Sequence, residues 1–288
     1  MIFLLFSILS STAIFLIFKL IDIKKVPGFN VILINYFIAA LLGFSLNKSP
    51  QTIMGFITSD AFWFSFLIGF LFIVMFFVIG WNSQKSGLAV TSVASKMSVV
   101  MPISFSIIYF NETISGTKII GIIFALLAVF FTVYRKKEKE NSKSIFLPVI
   151  LFLGMGLVDI SVKYVQEKFI TPEINSFFTA FLFLISAFFA VIFTFFNKKT
   201  LKDYKIPKVW FFGFALGIVN FGTIYFLIAT LNSKIFSSPV VFGINNTGIV
   251  LLSFLLGLLF FKEKLLKINI LGIVLSIAAI FLLTFSNV

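Results

Sequence analysis

Residues 62–81 read FWFSFLIGFLFIVMFFVIGW and contain no charged side chain. A helix needs about 20 apolar residues to cross the hydrocarbon core of a bilayer. The rest of the chain has the same character, because 60% of its 288 residues are hydrophobic and only 11% are charged. A soluble domain carries about 25% charged residues. We therefore expect an integral membrane protein whose solvent is the lipid bilayer.

Nine other segments share this length and apolar character, and polar or proline-containing breaks separate them. The first has no basic segment before it and no small-residue cleavage motif, so we interpret it as a span and not as a signal peptide. The expected fold is all-α with ten transmembrane helices. The predicted spans are 2–21, 29–47, 62–81, 87–109, 114–134, 145–165, 173–196, 208–231, 235–261 and 267–286.

The composition excludes several kinds of chemistry. The chain has neither cysteine nor histidine, which excludes disulfides, His or Cys metal sites and imidazole proton relays, so no metal or cofactor is expected. The net charge of +13 comes from lysines in short runs between apolar segments. That placement is typical of membrane topology and not of nucleic-acid binding. No P-loop motif is present, so ATP is not expected to be the direct energy source.

Two junctions in the chain share one spacing. Glu112 stands nine residues before Gly121, and Glu263 stands nine residues before Gly272, 151 residues further on. The pairs follow the fourth and the ninth spans, which predicts a five-plus-five duplication. Both glutamates are expected to be structural, as helix caps or as partners of nearby lysines. The predicted division is a first repeat at 1–134, a basic linker at 135–144 and a second repeat at 145–288.

Charge in the loops predicts that the two repeats are inverted. An odd number of spans turns the second repeat upside down in the membrane. The loop after the second span holds one lysine, and its counterpart after the seventh holds five. Summed over the chain, one side collects seventeen Lys and Arg residues and the other five. The positive-inside rule then places both termini outside the cell's inner (plasma) membrane.

Two inverted five-helix repeats with matching Glu–Gly junctions resemble the EamA-type transporters of the drug/metabolite transporter superfamily. The resemblance covers the whole chain, and the junctions are its most specific part. It implies transport of small metabolites such as amino acids, through a central cavity lined largely by spans 3, 4, 8 and 9. The proline common in the family's ninth span is missing here, where Pro239 lies near the start instead. Some members have cytoplasmic termini, which conflicts with the charge count.

Lys96 lies near the middle of the fourth span, in the polar stretch TSVASKMS at 91–98. A charged lysine at the bilayer centre costs about 2.5–3.5 kcal/mol, so it should face the bundle interior, water or an anion. A lysine that snorkels or pairs structurally is the alternative, but its depth argues against snorkelling. Counting back from the matched glutamates aligns Lys96 with Thr247, beside Asn245 and Asn246. We predict that these four residues bind substrate.

Asp159 is an acidic residue well inside the sixth span, and Lys163 follows four residues later on the same helical face. An intrahelical ion pair is one interpretation. The other is a carboxylate that binds and releases a proton during transport, because desolvation favours its protonated form. In the fourth span, Pro102 removes one backbone hydrogen bond and is a candidate hinge, although simple helix curvature is equally open.

Four further polar side chains are candidates for substrate contact: Trp81, Asn82, Asn220 and Tyr225. For Asn220, packing beside the glycines of its span and contact with substrate are equally favoured. For Trp81, an anchoring role at the membrane interface is the favoured alternative.

A secondary transporter that works by alternating access fits these observations best. A lipid-modifying membrane enzyme, or a flippase for lipid-linked substrates, is the alternative, but an enzyme would need clustered His, Asp or Glu. The ten acids are scattered, so enzymatic activity is not expected, and a lone buried lysine does not favour a channel. Lys96 favours an anionic or zwitterionic metabolite, and an amino acid would satisfy both Lys96 and Asp159. Protons are the candidate coupling ion, and the protein is expected to be a monomer or homodimer.

Overall fold

A computed structural model describes residues 2–45, 55–109, 115–134, 143–169, 175–196, 200–233, 235 and 238–285. Within these ranges all regular secondary structure is helical. The helices are α1 (Ile2–Ile23), α2 (Gly28–Ser45), α3 (Asp60–Lys85), α4 (Leu88–Met97), α5 (Val100–Tyr109), α6 (Gly116–Val133), α7 (Lys143–Phe169), α8 (Asn175–Phe196), α9 (Thr200–Asp203), α10 (Pro207–Asn232), α11 (Ser238–Leu259) and α12 (Lys267–Phe285).

Nine helical segments of the described chain are long and apolar enough to cross a membrane, and α4 and α5 together form one of them. A tenth segment, Gly116–Thr132, is apolar but shorter. It corresponds to the predicted fifth span. The expectation of an all-α membrane protein is therefore confirmed, whereas ten transmembrane helices and an inverted repeat remain predictions.

The helices form two compact units, and each unit draws on both halves of the sequence. Four helices, α1, α3, α7 and α10, contribute residues to both units. Most of the predicted basic linker, 135–142, lies outside the described residues, as does Glu112. Unit 1 comprises Met1–Lys19, Val78–Leu157 and Gly222–Val288, and unit 2 comprises Leu20–Phe77 and Val158–Phe221.

In unit 1, helix α6 packs against helix α12 through a glycine on each helix. A Cβ on Gly121 would lie 2.8 Å from the side chain of Leu283. A Cβ on Gly272 would lie 2.7 Å from the backbone nitrogen of Thr132. Leu283 stands 151 residues after Thr132, which is also the spacing between the two glycines. The two contacts are therefore equivalent, and each joins the start of one helix to the end of the other.

Unit 2 contains a similar pair of glycine contacts. Gly69 of α3 packs on Ile185 of α8, with the carbonyl oxygen of Leu182 3.3 Å from a built Cβ. Gly217 of α10 packs on Ile38 of α2, with the carbonyl oxygen three residues earlier, that of Asn35, at 3.0 Å. The two isoleucines are 147 residues apart and the two glycines 148. A helix from each half of the sequence thus packs in the same way on a helix from the other half.

Candidate functional site

The predicted fourth span is interrupted directly after Lys96. Helix α4 ends at Met97 and α5 begins at Val100. Pro102 has no N–H to donate to the carbonyl of Ser98, so the regular i to i−4 bond cannot form there. Met101 N–H donates to that carbonyl oxygen instead, at 2.8 Å. Lys96 is partly buried and lies beside this break. The role of Pro102 as a hinge remains a prediction.

The beginning of α4 is capped by a side chain from the second half of the sequence. Leu88 N–H donates to Glu263 Oε1 at 2.8 Å, and Ala89 N–H also interacts with this carboxylate. Gly87, before the helix, has a φ of 93° and leaves no room for a Cβ, which would lie 2.7 Å from the carboxyl group of Glu263. Only glycine combines this backbone conformation with so close an approach.

Three groups act on the Glu263 carboxylate. Burial raises its pKa above the ordinary value, while the backbone N–H groups of Leu88 and Ala89 and the charge of Lys19 act in the opposite direction. The ammonium group of Lys19 donates to the carbonyl oxygen of Gln84 at 3.2 Å. The structure therefore agrees with the prediction of a capping role for Glu263. The capped helix is α4, which is distant in sequence.

Asn82, near the end of α3, belongs to a chain of hydrogen bonds that holds its orientation. Asn82 Nδ2 donates to Thr91 Oγ1 at 3.2 Å. The Thr91 hydroxyl in turn donates to the carbonyl oxygen of Gly87 at 2.6 Å. Asn82 is completely buried, and its Oδ1 has no hydrogen-bond partner among the described residues. Among the described residues this amide oxygen is therefore a buried acceptor without a donor.

Helix α1 brings two further buried hydroxyl groups to this part of unit 1. Ser83 Oγ, next to Asn82, donates to the carbonyl oxygen of Phe15 at 2.9 Å and so joins α3 to α1. Ser11 and Thr12 lie one turn before Phe15 and are buried. In the described part of the chain, neither of their hydroxyl oxygens has a hydrogen-bond partner, and the same holds for Ser86 Oγ, one turn after Asn82. We call Ser11, Thr12, Asn82 and Ser86 the polar cluster.

The predicted substrate residues of α11 belong to the same unit as the polar cluster. Asn245 is buried, and Asn246 and Thr247 are partly buried. Asn245 Oδ1 and Thr247 Oγ1 are buried atoms that find no partner within the described ranges. Helix α11 packs against α4 and, at Gly248, against Ile8 of α1. Unit 1 thus contains Lys96 together with a set of polar atoms able to bind a ligand.

Three predicted site residues belong to unit 2. Asn220 is buried, and its Nδ2 donates to Asn35 Oδ1 at 3.1 Å, so it joins α10 to α2. Asp159 and Lys163 are partly buried on α7, one turn apart. Contact of these residues with substrate or with a proton remains a prediction.

Two aromatic candidates lie at the surface of unit 1. Trp81 is 53% exposed and Tyr225 is 43% exposed. Asn82, the residue after Trp81 in α3, is completely buried, so exposure changes sharply between these two neighbours. The surface position of Trp81 agrees with the alternative of an interface anchor. Substrate contact by either ring remains a prediction.

Sequence reasoning missed the contribution of α1. Ser10, Ser11 and Thr12 form a run of three hydroxyl residues inside the first span, and this run was the available signal. Ser86 and the orienting role of Thr91 were also missed, because they depend on which helices meet. In the described ranges no three acidic side chains lie close enough together to hold a metal ion.

The nine long apolar helical segments of the described chain define a multi-pass, all-α membrane protein. No protein-family model matches the chain. It is 27% identical over 288 residues to an uncharacterized protein of Haemophilus influenzae, covering 97% of this chain and 96% of that protein. The chain is also similar to a solved crystal structure of a protein, with a TM-score of 0.62 and 12% sequence identity. The alignment covers 98% of this chain and 94% of the chain in that crystal structure. At that identity the likeness concerns the fold alone.

Proposed function

We propose that the protein is a secondary transporter of the EamA type, which moves a small anionic or zwitterionic metabolite such as an amino acid across the inner membrane by alternating access. The observation that carries this proposal is the equivalent packing of Gly121 on Leu283 and Gly272 on Thr132. Such a reciprocal contact, in which i meets j′ and j meets i′, is what a twofold relation produces.

The direction of the helices supports an inverted repeat in particular. Gly121 is near the start of α6 and Leu283 is near the end of α12, so the two helices run antiparallel. Equivalent helices that run in opposite directions are expected when the second repeat is upside down. The matching contacts of Gly69 and Gly217 in unit 2 support the same relation for the second and third spans of each repeat.

The interruption after Lys96 supports a substrate site at that position. Transporters with inverted repeats often bind substrate where a membrane helix is broken. The lysine would attract a carboxylate, and the buried oxygens of Asn245 and Thr247 would contact the polar part of the solute. Acidic groups are scarce in the spans, which supports an anionic or zwitterionic substrate.

The proposal is tested by transport in reconstituted vesicles and by a thermal-shift screen, because a ligand that binds the native state raises its apparent stability. We expect at least one amino acid or related carboxylate to stabilise the purified protein and to enter vesicles. Lys96→Ala should abolish both effects while the protein still inserts. Lys85→Ala, at an exposed position, is the matched control and should behave as wild type. Wild-type flux in Lys96→Ala would refute the assigned role.

Coupling to protons is a separate part of the proposal and concerns Asp159. Asp159→Asn cannot release a proton, so its transport should no longer respond to a pH gradient, although exchange of solute across the membrane continues. The measurement is uptake with and without an imposed gradient. An unchanged response would leave Asp159 as a structural partner of Lys163.

A further inference from the structure

We propose that Asn82 Oδ1 is a specificity-determining acceptor, which receives an N–H group of the transported solute, and that Thr91 is the residue that positions it. This inference rests on the proposed function. It adds a chemical requirement, namely that the preferred solutes carry an ammonium or amide N–H donor, and it adds the hydroxyl groups of α1 to the site.

The orientation of the Asn82 amide follows from the hydrogen bonds of Thr91. A threonine hydroxyl has a single proton, and Thr91 donates it to the carbonyl oxygen of Gly87 at 2.6 Å. The Thr91 oxygen can therefore only accept from Asn82, which it does from Nδ2 at 3.2 Å. A flipped amide would place two acceptors against each other. Network arguments of this kind are how amide orientations are assigned.

The remaining amide oxygen lacks a donor in the part of the chain that the structure describes. Asn82 is completely buried, and within the described residues Oδ1 has no partner. A buried acceptor without a donor carries a desolvation penalty, which a ligand N–H would remove. Because an amide oxygen can only accept, the group that satisfies it must be a donor. A carboxylate or a phosphate dianion is therefore the wrong partner at this position.

The other members of the polar cluster suit the same ligand group. Ser86, one turn after Asn82, and Ser11 and Thr12 of α1 have buried hydroxyls with no partner in the part of the chain that the structure describes. A hydroxyl accepts as readily as it donates, and an ammonium group has three N–H donors. An ammonium group that binds Asn82 Oδ1 has two further N–H donors, and a hydroxyl of the polar cluster is an acceptor of the kind that they need.

The test uses solute triads that differ by one group: leucine with 4-methylpentanoate and 3-methylbutylamine, and phenylalanine with 3-phenylpropanoate and 2-phenylethylamine. Affinity is measured by thermal shift and by competition for transport in the wild type. We expect each amino acid to bind at least about tenfold more tightly than its deaminated acid, because a site built to bond a donor rejects analogues that lack it.

Variants at two positions then assign the preference to Asn82. Asn82→Leu keeps the size of the side chain and should lose most of the preference for the amino group, while binding of the deaminated acid changes little. Thr91→Val removes the acceptor that orients the amide and should reduce the preference. Thr91→Ser keeps the hydroxyl and should retain it. A purely structural role for Thr91 would change stability without changing the ratio of affinities.

Each outcome separates this inference from the proposed function. If no member of either triad binds or is transported, and the wider metabolite screen is also empty, the proposed function fails. If solutes bind but the wild type does not prefer those with an N–H donor, the inference fails and transport stands. A preference that survives in Asn82→Leu, or in Thr91→Val if the former does not fold, also overturns the inference.

Discussion

The buried polar groups of unit 1 and unit 2 differ in how often they have a hydrogen-bond partner within the described residues. In unit 2, buried hydroxyls donate to carbonyl oxygens of the same or a neighbouring helix, as Tyr36 does to Phe72 at 2.9 Å and Ser186 to Gly69 at 2.9 Å. Most of the buried polar atoms without a partner within the described residues belong to unit 1, on Ser11, Thr12, Asn82, Ser86, Asn245, Thr247 and Ser253, although unit 2 also has some, such as Asn35 Nδ2. Unsatisfied buried polar groups are costly, and a solute bound at the proposed site in unit 1 would give several of them a partner.

The apolar cores of the two units also differ in composition. Unit 2 has a cluster of aromatic rings around Phe56, which contacts Phe62, Phe177 and Phe181 edge to face. The core of unit 1 consists mainly of aliphatic side chains such as Val93 and Met97, and glycine contacts join helices in both units. Aromatic pairs of this geometry stabilise packing by about 0.5–1.5 kcal/mol each beyond the area that they bury. We infer that unit 2 serves mainly as a support, whereas unit 1 contains the groups that contact solute.

The largest effect is expected from overpacking the glycine contacts between α6 and α12. Gly272→Val places a side chain against the backbone of Thr132, which cannot move aside easily, so folded protein should be nearly lost. Gly121→Val meets the flexible side chain of Leu283 and should cost less, about 1–3 kcal/mol. Yield of monodisperse protein and its melting temperature are the measurements.

The control for these two substitutions is Gly116→Ala, because a Cβ at Gly116 meets no atom of the described residues within 4 Å. It should leave yield and stability near those of the wild type. If Gly272→Val folded as well as Gly116→Ala, the close contact of α6 with α12 would not exist as described.

A matched pair of serine substitutions compares the two units directly. Ser186 and Ser253 are both completely buried. Ser186→Ala removes a hydroxyl whose single proton is shared between the carbonyl oxygens of Gly69 and Leu182 and should lower the free energy of unfolding by about 1 kcal/mol. Ser253→Ala removes a hydroxyl without a partner among the described residues and should be neutral or stabilising. Unfolding in mixed detergent measures the change in stability of each variant. If both variants were equally destabilised, buried polar groups in the two units would not differ as described.

A smaller effect is expected at the cap of α4. Glu263→Ala removes the acceptor of Leu88 N–H. It should lower the free energy of unfolding by about 1 kcal/mol, as the loss of other helix caps does. Glu263→Gln keeps an oxygen acceptor at that position and should cost less. Thermal unfolding at neutral pH measures the difference between the two variants. If the two variants are equally stable, Glu263 does not act through this hydrogen bond.

The smallest effect concerns pH. Burial raises the pKa of folded Glu263 above its ordinary value of 4.5. Between the unfolded and folded pKa values the folded protein binds more protons than the unfolded chain, so the free energy of unfolding falls as pH rises through this window. Glu263→Gln should flatten that part of the stability curve. A wild-type slope that persists in the variant would assign it to another group.

Hydropathy was enough to predict the helical membrane fold, because each span must satisfy its own backbone hydrogen bonds in lipid. The predicted span limits lie close to those of the helices, since apolar length and proline or charge at the ends determine where a helix can run. The interruption after Lys96 was not predicted as a break between two helices, although Pro102 had indicated a local weakness there.

The candidate site could be predicted only in part. Lys96 and the amides near Thr247 were found because polar residues are rare in membrane spans. The contribution of Ser11 and Thr12 depends on contact between α1 and α3, and the cap by Glu263 joins residues 175 positions apart. The run of hydroxyl residues at 10–12 marked α1 as polar, but which helices meet is decided by tertiary packing and cannot be read from local sequence.

Accessibility of Thr12 tests the central claim, alternating access to a site in unit 1, most directly. The chain contains no cysteine, so Thr12→Cys introduces a single thiol, to be labelled with a membrane-impermeant reagent from each side of oriented vesicles. We predict labelling from both sides and protection by the amino acid that is transported. Labelling from one side alone, or labelling that the transported solute does not slow, would contradict alternating access at this site.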